Sequence, residues 1–115
     1  MKIVNVDNKI SRAELSKMAD KMFGNLVKAV VDVERKVIAI DAPMHADQEA
    51  ELLKNGSRQN DLWGINLHPG KEGKDFIEFD SMINIRPSQD NRSRGVDDRK
   101  VKQKIIDVVN KLVEK

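Results

Sequence analysis

The sequence predicts an α+β fold of two layers, in which about three helices pack mainly on one face of an antiparallel or mixed sheet of four to five strands. Two observations lead to this prediction. Segments with the two-residue period of strands and segments with the 3.6-residue period of helices follow one another in the order β-α-β-β-α-β-β-α. The paired strand segments are also joined by short connections, which suit antiparallel neighbours better than the long crossovers of a parallel sheet.

The first two elements are a short strand over residues 2–6 and a helix that begins at Ser11. Ser11 and Glu14 have the spacing of a capping box, in which each side chain binds the backbone N–H of the other residue. Gly24 supplies a stop for this helix. Four apolar residues have the spacing of its buried stripe: Leu15, Met18, Ala19 and Met22.

Residues 27–41 are rich in β-branched side chains, which predicts a hairpin that turns near Glu34 and Arg35. A two-residue turn at this point pairs Val33 with Lys36. That register places four apolar side chains on one face of the hairpin: Ala29, Val31, Ile38 and Ile40.

Two further helices are predicted, over residues 44–54 and 97–114. In the first of them three residues are expected to face inward: Ala46, Ala50 and Leu53. In the second the inward stripe has four members: Val101, Ile105, Val108 and Leu112.

The strand pair over residues 62–68 and 75–86 supplies a candidate working surface, because apolar and polar residues alternate along both segments. Matching their apolar faces in an antiparallel pair places Asn66 near Glu78. The opposite face then forms a polar platform of six residues: Asn66, His68, Glu78, Asp80, Asn84 and Arg86.

Composition restricts the class of protein. The 115 residues are 39% hydrophobic and 35% charged, which is typical of a soluble globular protein, and we expect a single α+β domain over residues 1–115. No apolar run is long enough to span a bilayer, and the N-terminal segment lacks the apolar core of a signal peptide. The absence of cysteine excludes disulfides, thiolate zinc sites and cysteine nucleophiles, and it agrees with a cytoplasmic location.

Four segments of the chain are distinctive: VKAVVDVE, HADQEAELL, LWGINLHP and FDSMINIRPSQDNRSRGV. They resemble those of a small family of short prokaryotic proteins known as an uncharacterised domain of unknown function, with INIRPSQ…NRSRGV as the recognisable motif. The resemblance covers most of the chain. It implies a prokaryotic source and brings no activity, cofactor or catalytic residue.

The loop within residues 80–95 is the strongest functional signal, because it holds three arginines among many side-chain amides and hydroxyls. A guanidinium pairs bidentately with phosphate or carboxylate. Residues 86–104 carry a local charge of +4, from seven Lys or Arg and three Asp, whereas residues 41–53 carry −4. We therefore expect the loop to bind an anionic, phosphate-bearing small molecule. Six residues are predicted to bind it: Asn84, Arg86, Gln89, Asn91, Arg92 and Arg94.

An alternative leaves the loop without a ligand. Its arginines can instead order the loop through ion pairs with Asp80, Asp90 and the platform. The protein is then an interaction module or a homodimer. Three apolar residues that widen the face of the last helix favour this alternative: Ile106, Val109 and Val113.

A second alternative is a small hydrolase-like enzyme, although the sequence leaves open whether the chain is an enzyme at all. Its catalytic candidates are Glu78, Asp80 and His68. The chain has no phosphate-binding loop, dinucleotide fingerprint or nucleophile elbow, and no cofactor is expected. The weak candidates for metal ligands are Asp41, His45 and Asp47. They match no established ligand spacing, so no metal site is predicted.

Nucleic acid is a further anionic partner to consider. Aromatic residues make up only 3% of the chain, and Trp63, Phe23 and Phe79 are expected to face the core, which leaves Phe76. Base stacking needs exposed aromatic rings, so single-strand recognition is disfavoured. Contact with the backbone of duplex or structured RNA stays open.

Overall fold

The computed structural model describes residues 1–115 as an α+β fold with three helices, a five-stranded antiparallel sheet and a two-stranded parallel sheet. The strand order of the main sheet is β1-β4-β3-β5-β6, and β2 pairs with β7. The elements are β1 (Lys2–Val4), β2 (Ile10–Ser11), α1 (Arg12–Lys21), β3 (Val27–Asp32), β4 (Val37–Ile40), α2 (His45–Lys54), β5 (Leu62–Leu67), β6 (Ile77–Glu78), α3 (Arg99–Leu112) and β7 (Val113–Glu114).

The main sheet has helices on both faces. Leu15 of α1 and Ile105 of α3 pack with Ile65 of β5 in the larger core. Leu52 of α2 packs with Val30 of β3 in a smaller core on the other face. Two of the three helices therefore share one face, and α2 covers part of the opposite one.

The first helix confirms its predicted start. Ser11 is the N-cap, its side chain accepts the backbone N–H of Glu14, and the Glu14 side chain accepts the backbone N–H of Ser11. Leu15 and Ala19 are the buried members of the stripe. A reciprocal cap satisfies two N–H groups that a helix start otherwise leaves unpaired.

The hairpin of β3 and β4 has the predicted register, since Val31 lies opposite Ile38. Its connection is a four-residue loop over residues 33–36, longer than the predicted turn. Asp32 orders the first residues of this loop, and Lys36 at its end adopts the left-handed conformation with φ 57°. The buried carboxylate of Asp32 accepts the backbone N–H groups of Glu34 (2.9 Å) and Arg35 (2.8 Å).

Helix α2 has the predicted position, but the expectation for its inward face is wrong. Ala46, Ala50 and Leu53 are exposed. Its buried residues are instead His45, Gln48 and Leu52. Gln48 Nε2 donates to the backbone carbonyl of Lys28 (2.8 Å), so α2 turns a hydrogen-bonding side chain toward the sheet where the apolar pattern predicts alanine.

The last strand pair has the predicted register, with Asn66 opposite Glu78, but β6 is much shorter than the predicted strand. It ends at Glu78, and the chain then forms short 3-10 turns at Met82–Asn84 and Pro87–Gln89. The final helix buries Ile105, Val108 and Leu112 as predicted. None of the helices is long and apolar enough to cross a membrane.

Candidate functional site

The arginine-containing loop is attached to the edge of β5, where β6 has already ended. Asn84 is fully buried there. Its Oδ1 accepts the backbone N–H of Gly64 (2.8 Å), and its Nδ2 donates to the Gly64 carbonyl (2.9 Å). The side-chain amide thus takes the place of a neighbouring strand. A Cβ at Gly64 would lie 2.5 Å from the Cβ of Ser81, so glycine is needed for this close approach.

Arg86 continues the same edge. Its guanidinium donates to the backbone carbonyls of Gln59 and Leu62 and lies over the Trp63 ring, 4.3 Å from the centroid. The residue is only 9% exposed, and burial lowers the pKa of its guanidinium. Gln89 Oε1 accepts a further hydrogen bond from Arg86 (3.0 Å). Arg86 is therefore already engaged with the protein's own backbone.

Asn91 ties the loop to itself. Its Nδ2 donates to the carbonyls of Asn84 (2.7 Å) and Gly95 (2.9 Å), and its Oδ1 accepts the backbone N–H of Asp97 (2.8 Å). Gln89 Nε2 donates to the carbonyl of Asn60 (3.1 Å). Four of the six predicted ligand residues therefore serve as internal hydrogen-bond partners.

The other two, Arg92 and Arg94, are exposed. Arg94 Nε lies 2.6 Å from Asp80 Oδ1 in an ion pair whose side chains are 55% and 41% exposed. The backbone N–H of Arg92 donates to Asp97 Oδ2 (3.1 Å), and hydrogen bonds from this loop lower the pKa of Asp97. Asp80, a member of the predicted platform, is thus directed to the loop.

Three other members of the platform do come together beside β6. Glu78 Oε1 lies 3.0 Å from both His68 Nε2 and Asn66 Nδ2. These hydrogen bonds lower the pKa of Glu78, the bond from His68 being the larger cause. An ionised carboxylate can only accept, so Nε2 of His68 carries the proton. His68 Nδ1 and Asn66 Oδ1 are buried without a hydrogen-bond partner.

The position of His45 at the start of a helix suggests a surface residue, but His45 is buried. Its Nε2 donates to the Ile65 carbonyl (2.7 Å), and burial lowers the pKa of its imidazole. Asp41 and Asp47 are exposed. No three His, Cys, Asp or Glu side chains of the chain converge in a geometry that could hold a metal ion.

A further cleft lies elsewhere, between α3 and the segment that leads into β6. We call it the α3 groove; its volume is about 1090 Å³. Its apolar side chains are Phe76, Ile77, Phe79, Ile106 and Val113. Its charged side chains are basic at Arg12, Lys74, Lys102 and Lys115 and acidic at Glu72 and Asp75.

Two cations of the α3 groove lie on its aromatic rings. The Arg12 guanidinium is 4.0 Å from the Phe76 centroid, and Lys102 Nζ is 4.8 Å from that of Phe79. Phe76 is buried and Phe23 is 42% exposed, so the sequence prediction for these two rings was wrong. Sequence reasoning missed the groove, although Ile106 and Val113 gave a partial signal as apolar residues beside the main stripe of the last helix.

These features define a small α+β protein with a backbone-anchored polar loop and a separate basic groove. The chain belongs to the family described as "Protein of unknown function (DUF5674)", whose sequence model matches residues 3–112. This confirms the family resemblance of the sequence. Searches of curated proteins and of solved structures gave no match.

Proposed function

We propose that the protein is a binding module whose α3 groove takes an acidic segment of a partner protein, while the arginine-containing loop has a structural role. The observation that carries the proposal is the pair of cations held over Phe76 and Phe79 at the edge of an apolar floor. The cytoplasmic location, single-domain organisation and prokaryotic source expected from the sequence are part of this proposal.

The structural role of the loop is supported by the internal hydrogen bonds that its buried side chains make. Asn84, Arg86 and Asn91 are each at least nine-tenths buried and donate to backbone carbonyls. A ligand would have to break these bonds, and a buried carbonyl left without a partner costs about 1–3 kcal/mol. Arg92 and Arg94 are exposed, so a ligand could reach them without such a loss.

The α3 groove has the size and composition of a site for a polypeptide segment. Its volume of about 1090 Å³ lies at the upper limit of small-molecule sites, roughly 300–1,000 Å³. Apolar side chains form the floor and charged ones surround it, as in protein interfaces. The groove can therefore hold the apolar anchors of a peptide and contact its charges at the same time.

The charge of the groove selects an acidic partner. The groove is lined by four basic and two acidic side chains. Arg12 and Lys102 are pre-oriented by their stacking on aromatic rings, which contributes about 0.5–1 kcal/mol at exposed sites. This partner differs from the phosphate-bearing small molecule expected from the sequence, both in its chemistry and in the surface that binds it.

The test is binding of a fluorescent peptide built from Glu and Leu, with Leu at helical i, i+3, i+4 and i+7 spacing. We expect Lys102→Glu to weaken binding by at least about tenfold, because it reverses a charge on the groove. Lys104→Glu is the matched control: the same change on the same helix, at an exposed residue that does not line the groove. Equal binding by the two variants would overturn the proposal.

A second candidate function, acid–base chemistry, is favoured by the His68–Glu78 pair. Glu78 holds the proton on Nε2, which leaves Nδ1 of His68 with a lone pair and no partner. In a catalytic triad a carboxylate likewise orients the imidazole of the general base. Here Nδ1 is buried, so a substrate would have to reach it through the cleft that His68 lines. Asp80, the third catalytic candidate, is engaged by Arg94 instead.

Hydrolysis of p-nitrophenyl acetate tests this second candidate. If His68 is the base, His68→Gln loses about 10²-fold or more in rate, since general acid–base catalysis contributes roughly 10²–10⁴-fold. Asp80→Asn should keep the wild-type rate because Asp80 lies outside the pair. A wild-type rate in His68→Gln would exclude His68 as a base for this substrate.

A further inference from the structure

We infer that the α3 groove binds helix α2 of a second copy of the chain, so that copies associate head to tail. This inference rests on the proposed function and names the partner of the same groove. It starts from helix α2, which has exposed apolar residues on the side away from its own sheet in addition to the buried Leu52.

Ala46, Ala50 and Leu53 have the i, i+4 and i+7 spacing of a packed helix face, yet all three are exposed, Leu53 at 40%. The side of α2 that contacts the sheet holds His45, Gln48 and a single large apolar residue, Leu52. A helix on a globular protein normally buries its apolar stripe. The outward stripe of α2 is therefore a surface suited to contact with another molecule.

The charges around this stripe complement those of the α3 groove. Residues 41–54 contain four acidic residues and one basic residue, Lys54 at the end of α2. Asp47, next to Ala46, is exposed. The groove offers Arg12, Lys74 and Lys102 around an apolar floor. An apolar stripe with mainly acidic neighbours thus matches an apolar floor with mainly basic neighbours, so the apolar and the charged contacts favour the same pairing.

The two surfaces lie on opposite sides of the same molecule. Helix α3 packs on one face of the sheet and α2 on the other. A chain therefore cannot place its own α2 in its own groove. The contact between copies joins two different surfaces, so it is heterologous, and a pair of copies has one groove and one α2 stripe left for further neighbours.

Sedimentation velocity over a range of protein concentrations tests the inference. We expect the mass of the wild type to rise beyond a dimer with concentration, because a heterologous contact continues until a ring closes. Lys102→Glu disrupts binding at the groove and Leu53→Asp disrupts binding at the helix stripe, so each variant alone should stay monomeric. Lys104→Glu and Met82→Asp are the matched controls at exposed positions outside the two surfaces, and they should associate like the wild type.

A mixture of the two interface variants gives the sharpest result. The intact α2 of Lys102→Glu can enter the intact groove of Leu53→Asp, whereas the two altered surfaces are both acidic and repel each other. We therefore expect a one-to-one mixture to form a dimer and to stop there. A mixture that stays monomeric, or variants that associate on their own, would overturn the inference.

The outcome also separates this inference from the proposed function. A wild type that stays monomeric at every concentration but binds the Glu/Leu peptide through Lys102 has a groove for a different acidic protein. In that case the second copy is excluded as the partner and the binding module stands. Loss of peptide binding at the groove would remove both.

Discussion

At the scale of single residues, side chains replace a neighbouring strand as hydrogen-bond partners along the free edge of β5. Asn84 accepts and donates at Gly64 as a strand residue would, and Arg86 continues at Leu62. Each bond satisfies a buried backbone group that would otherwise be unpaired. The polar composition of this loop, which suggests a ligand when read in sequence, is explained by these internal contacts.

We predict that Asn84→Ala lowers the free energy of unfolding by about 2–4 kcal/mol, because it leaves the N–H and carbonyl of Gly64 buried without partners. Denaturant titration measures this loss. Asn60→Ala, the same change at an exposed position, and the Arg92→Ala/Arg94→Ala double variant should both stay within about 0.5 kcal/mol of the wild type.

The double variant also examines the loop as a ligand site. A thermal-shift panel of nucleotides, sugar phosphates and short RNA is recorded for the wild type and for Arg92→Ala/Arg94→Ala. If the loop is structural, no compound should raise the melting midpoint of the wild type without raising that of the double variant equally. A shift of several degrees that disappears in the double variant would contradict the structural role, since ligand at a hundredfold excess over Kd adds about 2.7 kcal/mol.

At the scale of elements, the predictable parts are those encoded by neighbouring residues. The capping box of Ser11 and Glu14 fixes the start of α1, and the alternation on both sides of the hairpin fixes the register of β3 with β4. Both depend on contacts that are local in sequence. The short register of β5 with β6 follows from alternation in the same way.

The elements that sequence reasoning missed depend on distant partners. Helix α2 has two possible inward stripes, and it buries the one in which Leu52 packs with Val30 and Gln48 donates to the Lys28 carbonyl. Strand β6 ends early because Asn84 and Arg86 replace its backbone at the edge.

The candidate site was predicted in part for the same reason. The pairing of Glu78 with Asn66 and His68 follows from the strand register. The α3 groove is assembled from Arg12, residues 72–79 and residues 102–115. No local pattern connects these three segments, so only the folded structure reveals the groove.

At the scale of the whole molecule, the acidic residues of α2 and the basic Lys102 of α3 lie on opposite sides of the sheet. The principal extents of the molecule are 37 × 28 × 23 Å, whereas the Debye length at physiological salt is about 8 Å. Charges on opposite faces are therefore screened from each other and act mainly on partners that dock close to them.

This separation predicts that binding at the α3 groove depends on salt while folding does not. Raising the ionic strength from about 0.05 M to about 0.5 M should weaken binding of the Glu/Leu peptide by roughly tenfold, because Arg12, Lys74 and Lys102 are screened. The free energy of unfolding should change little, since the loop is held by buried hydrogen bonds such as those of Asn84. Fluorescence anisotropy and denaturant titration at each salt concentration measure the two quantities. Peptide binding that is unchanged by salt would mean that the apolar floor alone supplies the affinity, and the acidic character assigned to the partner would then be wrong.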